Sequence, residues 1–349
     1  MKVNKKVISN LEKCYSIAPL YYQGKEHILV AAEKQDPCYM FDLDGNKEDT
    51  LWEQPGGVMS MVQVPGSDGV FLATHKFYSP NDSAEAKIVV VSSDKECGWR
   101  VRTLVCLPHV HRFDVVSRNG VNYLIACALK SGHQHKDDWS MPGKVYAAVL
   151  PENLDEFDEG HQLGLTVIKD NMLKNHGYYR MNGEGMDVCL ISCEEGVFRF
   201  TPPESPDQSW KIECLLEEPA SDAVLIDLDN DGEKELAMIS PFHGNSICIY
   251  KKTENGYQKV YSYDTAEFAH AIYGGSVMEQ PTVIIGHRKG TRDLLAFTYN
   301  AEKQSYQANV IDKDCGSANV YKYTHHGKEI LISANRETNE IAMYTFEAE

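Results

Sequence analysis

YLIACALK (123–130) is an apolar run that ends in a small residue and then a polar one, and the pattern recurs along the chain. The other copies are HILVAAEK (27–34), VFLATHKF (70–77), VCLISCEE (188–195), ELAMISPF (235–242), TVIIGHRK (282–289) and EILISANR (329–336). Runs of this length between turn residues read as strands buried on both faces. A third strand follows each copy, as in KVYAAVL and GVFRFTP. A first strand precedes each, beginning near Ser16, Met59, His111, His176, Asp222, His270 and Asn319. Six units then carry an outer strand, such as VRTLVCL (101–107), WKIECLL (210–216) and YQKVYSY (257–263). The last unit stops at Glu349 without one, and KKVISNL (5–11) is available to complete it. Such an exchange closes a ring and removes its sheet edges. The expectation is an all-β chain forming one domain over 1–349. It is a seven-bladed β-propeller with four-stranded blades, and the N-terminal strand finishes the last blade.

This architecture sorts side chains by position. The loop entering strand one and the loop joining strands two and three open on one face, around the central channel. The strand-one heads place His111, His176, Asp222 and His270 in successive units, with Asn319 further on. The loops after strand two place His75, Lys130, His133, His135, His243, His287 and Arg336 on the same face, and His109 lies just before the ring. Nine of 13 histidines thus map to one face. A lone loop histidine is ordinarily a solvated or hydrogen-bonded residue, but matched repeat positions argue for a shared task. Three imidazoles and a carboxylate suit zinc, iron or manganese with an open coordination position, zinc first. His111, His176, Asp222 and His270 are therefore the expected transition-metal ligands. Without a metal they would serve as acid and base groups.

The fifth unit carries IDLDNDGEKEL, with Asp227, Asp229 and Asp231 alternating, Gly232 at the turn and Glu235 beyond. Alternating carboxylates on a tight loop form a hard-oxygen set suited to calcium or magnesium in a structural role. The loop falls in the hairpin between strands one and two, on the face opposite the histidines. It resembles the acidic loop of FG-GAP and VCBS propeller repeats. An ordinary acidic turn is the simpler alternative.

Hydrophobic residues make up 42% of the 349 and charged residues 24%, which suits a large core. The net charge of −17 argues against nucleic acid and anionic membranes as partners. The 10 cysteines are scattered, mostly in apolar runs, and read as buried free thiols. The basic N-terminus lacks an apolar signal core and no 18-residue apolar stretch exists, so the expected compartment is the cytoplasm.

The segments ATHKFYSPND (73–82), LPHVHRFDVV (107–116), KNHGYYR (174–180), SPFHG (240–244) and GHRKG (286–290), with the acidic loop, resemble the propeller part of aldos-2-ulose dehydratases. The resemblance spans nearly the whole chain. It implies action on keto sugars such as 1,5-anhydro-D-fructose, with zinc and magnesium as metals. The fungal enzyme's cupin-like domains have no counterpart in these residues.

The expected activity is a carbohydrate lyase that dehydrates a keto sugar. His75, His243 or His287 would act as base or acid, and Tyr178 would donate a proton or stack on the sugar. Lys130, Arg112, Arg288 and Arg336 would steady the enolate oxygen or orient hydroxyls. His109, His133, His135, Arg336 and Asn319 would contact the sugar. A sugar isomerase or epimerase, or a polysaccharide lyase, shares the proton abstraction. A non-catalytic binding module is the third reading. Residue types fix neither the sugar nor the oligomeric state.

Overall fold

Strands two of the repeat are apolar throughout because both of their faces are covered. Leu124, Ile125, Ala126, Cys127, Ala128 and Leu129 are at most 1% exposed. Each such Leu or Ile contributes about 1.5–3 kcal/mol through burial. In a computed structural model, which describes residues 2–94, 98–135, 137–183 and 186–347, these runs are central strands of an all-β architecture. Among the described residues there is no helix, hence none long and apolar enough to cross a membrane.

Five sheets have four strands each. A sixth has eight, made of two four-stranded units that a single pairing, Arg118 with Met186, ties together. Within each unit the strands run antiparallel in chain order, save in the unit that holds both termini. There the N-terminal strand Lys2–Asn10 lies outermost, antiparallel to Glu340–Glu347.

The first strands begin at Cys14, Met61, Val110, Gly177, Asp222, Ala269 and Ser317. Successive ones touch in turn, and the last returns to the first, so the circuit is closed. The core lies between units rather than inside them. Leu29 and Ala31 of the first unit meet Met61, Phe71 and Val89 of the second. Val224, Ala237 and Ile249 of the fifth meet Val283, Ile285 and Leu295 of the sixth. The cysteines follow the expected burial with exceptions: Cys106 and Cys214 are exposed, and no disulfide joins the described thiols.

Candidate functional site

A β-bulge opens most of the first strands. Tyr15, His111, His270 and Ala318 each fall in a register gap, between Cys14 and Ser16, Val110 and Arg112, Ala269 and Ala271, and Ser317 and Asn319. His176 and Ser221 occupy the same place. His176 N–H donates to Ser192 O although Gly177 already faces Ser192, and Ser221 N–H donates to Ile239 O although Asp222 already faces Ile239. A bulge re-aims the extra side chain. Here it turns that side chain along the ring toward the next unit.

The consequence is a chain of hydrogen bonds between neighbouring units. Ser60 Oγ donates to His111 O at 3.4 Å. His111 Nδ1 donates to His176 O at 3.2 Å, His176 Nδ1 to Ser221 O at 3.0 Å, and His270 Nδ1 to Ala318 O at 2.8 Å. Gly177 permits the close approach, because a Cβ there would stand 2.5 Å from Ser221 O. With Nδ1 protonated and anchored on a carbonyl, each imidazole keeps a bare lone pair on Nε2. Anchored histidines of this kind are how proteins present metal ligands.

The Nε2 atoms converge. Tyr15 OH lies 2.9 Å from His270 Nε2 and 3.4 Å from His111 Nε2. His176 Nε2 and His243 Nε2 are 3.2 Å apart. The ligating atoms of His176, His243 and His270 all lie within 4.8 Å of one another. The rings of His111 and His176 stack at 4.4 Å. His243 is held between Phe242 and Phe268, at 3.9 and 4.3 Å. These two phenylalanines roof the cluster, and Trp139 extends the roof 5.7 Å beyond Phe242.

Burial sets the electrostatics. It lowers His176 to about 3 and holds His111, His243 and His270 well below the usual histidine range, with nearby Arg112 and Arg288 adding to the effect. Burial raises Tyr15 to about 12, partly opposed by Arg112. Arg112 donates to Met59 O at 2.7 Å, while its buried Nε has no partner. Neutral imidazoles with inward lone pairs, beside one under-satisfied guanidinium, can take up a cation, move a proton or hold an oxyanion.

The depressed histidines give stability a pH dependence of definite sign. His75 and His176 both sit near 3 when folded, against about 6.5 when unfolded. Their contribution is complete above about 6.5 and is lost as pH falls toward 3, because only the unfolded chain takes up those protons. The loss is up to about 1.4 kcal/mol per pH unit for each histidine. Asp222, raised to about 7 by burial, acts in the opposite sense. Urea melts should therefore show a clear fall between pH 7.5 and 5, and His75→Phe should flatten it.

Several expected site residues stand elsewhere. Asp222 is one residue past the bulge, so Ser221 takes the ring position; the Asp222 carboxylate instead accepts from Ala223 N–H at 3.0 Å. For the same reason Ala318 replaces Asn319 and Tyr15 replaces Ser16. His75 packs on Trp52 at 4.9 Å, with its Nε2 buried and unpartnered. His287 staples its own loop: Nδ1 donates to Lys289 O at 2.9 Å and Nε2 accepts from Asp293 N–H at 3.0 Å. Both ring nitrogens are thereby occupied, which leaves it no acid–base role. Tyr178 donates to Asp114 at 3.0 Å within the wall between units.

The basic groups are mostly committed too. Arg288 pairs with Glu337 at 2.9 Å, and Arg336 pairs with Glu337 and Glu33. Lys130 is fully buried, donating to Asn81 Oδ1 and Asp138 O at 3.0 and 3.2 Å. His109 meets Ser83 Oγ at 2.8 Å and the ring of His133 at 5.2 Å, forming a cluster of its own, while His135 is exposed. The ring residues legible in sequence are His111, His176, His243 and His270. Tyr15, Ser221, Phe242 and Phe268 were not recognised. Tyr15 is signalled by its neighbour: Ser16 faces Ala31 as Arg112 faces Cys127 and Ala271 faces Gly286.

The acidic loop brings Asp227, Asp229 and Glu235 together, with ligand atoms within 4.8 Å. A resident cation already lies against two of them. Lys251 Nζ contacts Asp229, Asp231 at 2.7 Å and Glu235 at 3.6 Å. Asp227 caps the turn by accepting from Asp231 and Gly232 N–H. Lys251→Ala should destabilise the chain by about 1–3 kcal/mol, discounted for the partial exposure of the ammonium. Calcium should raise the melting temperature of that variant and leave the parent nearly unchanged.

Two open cavities lie away from the histidines. One is lined by Tyr123, Val149, Val167 and Trp210, and another by Gln63, Asp68, Arg180 and Asp187. Neither gathers the convergent, anchored donors found at the ring.

No protein-family model and no curated protein matches the sequence. Solved structures do match in shape. Virginiamycin B lyase from Staphylococcus aureus superposes with a TM-score of 0.59 at 14% identity, over 99% of both chains. The β-propeller domain of Myceliophteria thermophila Cps50 (Swd1) gives 0.59 at 10%, over 99% of this chain and 100% of that one. The periplasmic gluconolactonase PpgL of Pseudomonas aeruginosa gives 0.57 at 12%, over 95% and 91%. At these identities the likeness establishes the fold: the chain is a β-propeller.

Proposed function

We propose that this chain is a seven-bladed β-propeller enzyme, a lyase that removes water from a small keto sugar of the 1,5-anhydro-D-fructose or aldos-2-ulose type. The observation that carries the reading is the set of three histidines whose Nδ1 atoms are anchored on carbonyls, leaving Nε2 lone pairs facing Tyr15 and His243. The closed circuit of first strands and the N-terminal strand that completes the last sheet support a count of seven blades. Proteins of similar shape include a lyase and a lactonase by name, which is compatible with carbonyl chemistry in such a channel.

The donor set fits a divalent transition ion, zinc first, held by His176, His243 and His270. When bound, such an ion would polarise the substrate carbonyl. The chain's own residues do the rest. Tyr15 and His111 form the proton-transfer pair: the bare His111 Nε2 takes the proton next to the ketone, and the Tyr15 phenol, kept protonated by burial, gives its own to the leaving group and is reprotonated from His111. The C–H electron pair becomes the enolate. Arg112, with its unpartnered Nε, holds the enolate oxygen. The enolate then expels the β-hydroxyl, which leaves as water with the proton given by Tyr15. Asp222, titrating near neutrality in the same channel, balances the charge on Arg112.

The acidic loop has a structural role with Lys251 as its main counter-charge, and calcium or magnesium is secondary to it. Lys174, 5.5 Å from the Phe242 ring, stands at the mouth but is already paired with Glu194 at 2.6 Å. No nucleic acid or membrane partner is proposed, and the compartment is taken as cytoplasmic from the free thiols.

Incubation of the zinc-loaded chain with 1,5-anhydro-D-fructose should produce an ultraviolet-absorbing enone. A product that is an isomer or epimer by NMR would transfer the same residues to proton shuttling without elimination. No change in any keto sugar would remove the dehydratase reading.

A further inference from the structure

We propose that Asp44, His325 and His326 form a second site for a divalent transition ion, which staples the first unit of the ring to the last. Their ligating atoms lie within 4.8 Å of one another. His325 Nε2 is 3.4 Å from an Asp44 carboxylate oxygen, and the two imidazole rings lie 3.9 Å apart. Two imidazoles and one carboxylate with open positions suit zinc, nickel or copper.

The site is built from both sides of the closing seam. Asp44 belongs to the turn after Cys38–Phe41 in the first unit, and the histidines follow from Ser317–His325 in the last. The backbone around Asp44 is fixed against that last unit. Tyr323 OH donates to Leu43 O at 2.9 Å, and Lys6 Nζ donates to Asp44 O at 3.1 Å. Gly45 presses so close that a Cβ would meet Met343 Sδ at 2.5 Å and Ile8 Cγ2 at 2.7 Å. The Asp42 carboxylate accepts from Asp44 N–H and Asn46 N–H at 3.0 and 2.7 Å, which shapes the turn. On the other side His326 and Gly327, both at positive φ (48° and 72°), form a tight turn that sets one imidazole beside the other. The ligands are therefore held before any ion arrives.

The side chains remain reachable, with Asp44 63% and His325 22% exposed. Because the ligands meet only when the N-terminal strand and the first unit are docked on the last, the ion binds the closed ring alone. Binding to the folded state alone raises stability by mass action. The site owes nothing to the channel chemistry.

The test uses the full chain carrying His176→Ala, which silences the channel, stripped with chelator and titrated with zinc chloride. One zinc should bind per chain, with a rise in melting temperature. Asp44→Asn and His326→Ala should each weaken binding at least tenfold and abolish that rise. All three residues are at the surface, so these variants should fold like the parent. If the parent takes up no zinc, or if the variant isotherms superimpose on its own, the site does not exist.

Discussion

The His176→Ala variant is expected to lose zinc affinity in the channel by at least about a hundredfold, since changes even behind metal ligands cost about 10–100-fold. Turnover on a keto sugar should fall by about 10²–10³ or more, the range seen when one preorganised electrostatic contact is deleted. His176 touches all three other histidines of the cluster: it stacks on His111, meets His243 Nε2 at 3.2 Å and packs 5.1 Å from His270. Its loss also strands the Ser221 carbonyl, at about 1–3 kcal/mol of stability. The control is His287→Ala. That histidine braces its own loop through Lys289 O and Asp293 N–H, so its removal should lower the melting temperature and leave zinc uptake and turnover per folded molecule unchanged. Equal losses in both variants would mean that the effect is structural.

Tyr15→Phe should lower kcat by about 10²–10⁴, the usual contribution of a positioned acid or base, with zinc content intact. The phenol is fully buried, and its hydroxyl is the group that lies between His270 and His111. Phenylalanine fills the same volume, so packing changes little and KM should move less than kcat. Loss of activity together with loss of zinc would make Tyr15 a support for the ligands rather than a proton carrier.

The apolar second strands were legible because they are buried on both faces, so no polar residue interrupts YLIACALK or TVIIGHRK until the strand ends. The terminal strand was legible because the last unit lacked a partner for Glu340–Glu347. The ring itself was legible only to within one residue. A bulge adds an unpaired residue that no alternation pattern marks, so the alternation points to Ser16, Asp222 and Asn319 where Tyr15, Ser221 and Ala318 belong. The histidines escaped this slip because they are the bulged residues. The loops after strand two were harder, because they turn by different amounts: His243 swings over the channel, while His75 turns onto Trp52 and His287 into its own loop. Lys251 shows a third limit. The acidic motif is visible in IDLDNDGEKEL, but its counter-charge comes from Ser246–Thr253, which only the fold brings alongside.

The central claim is that anchored imidazoles in the channel hold a catalytic ion. Anomalous diffraction at the zinc edge, on crystals grown with zinc, tests it directly. A peak within bonding distance of the Nε2 atoms of His176, His243 and His270 is the predicted result. Density at the zinc edge confined to the Asp44 seam, with the channel histidines bonded only to Tyr15 and to one another, would contradict it.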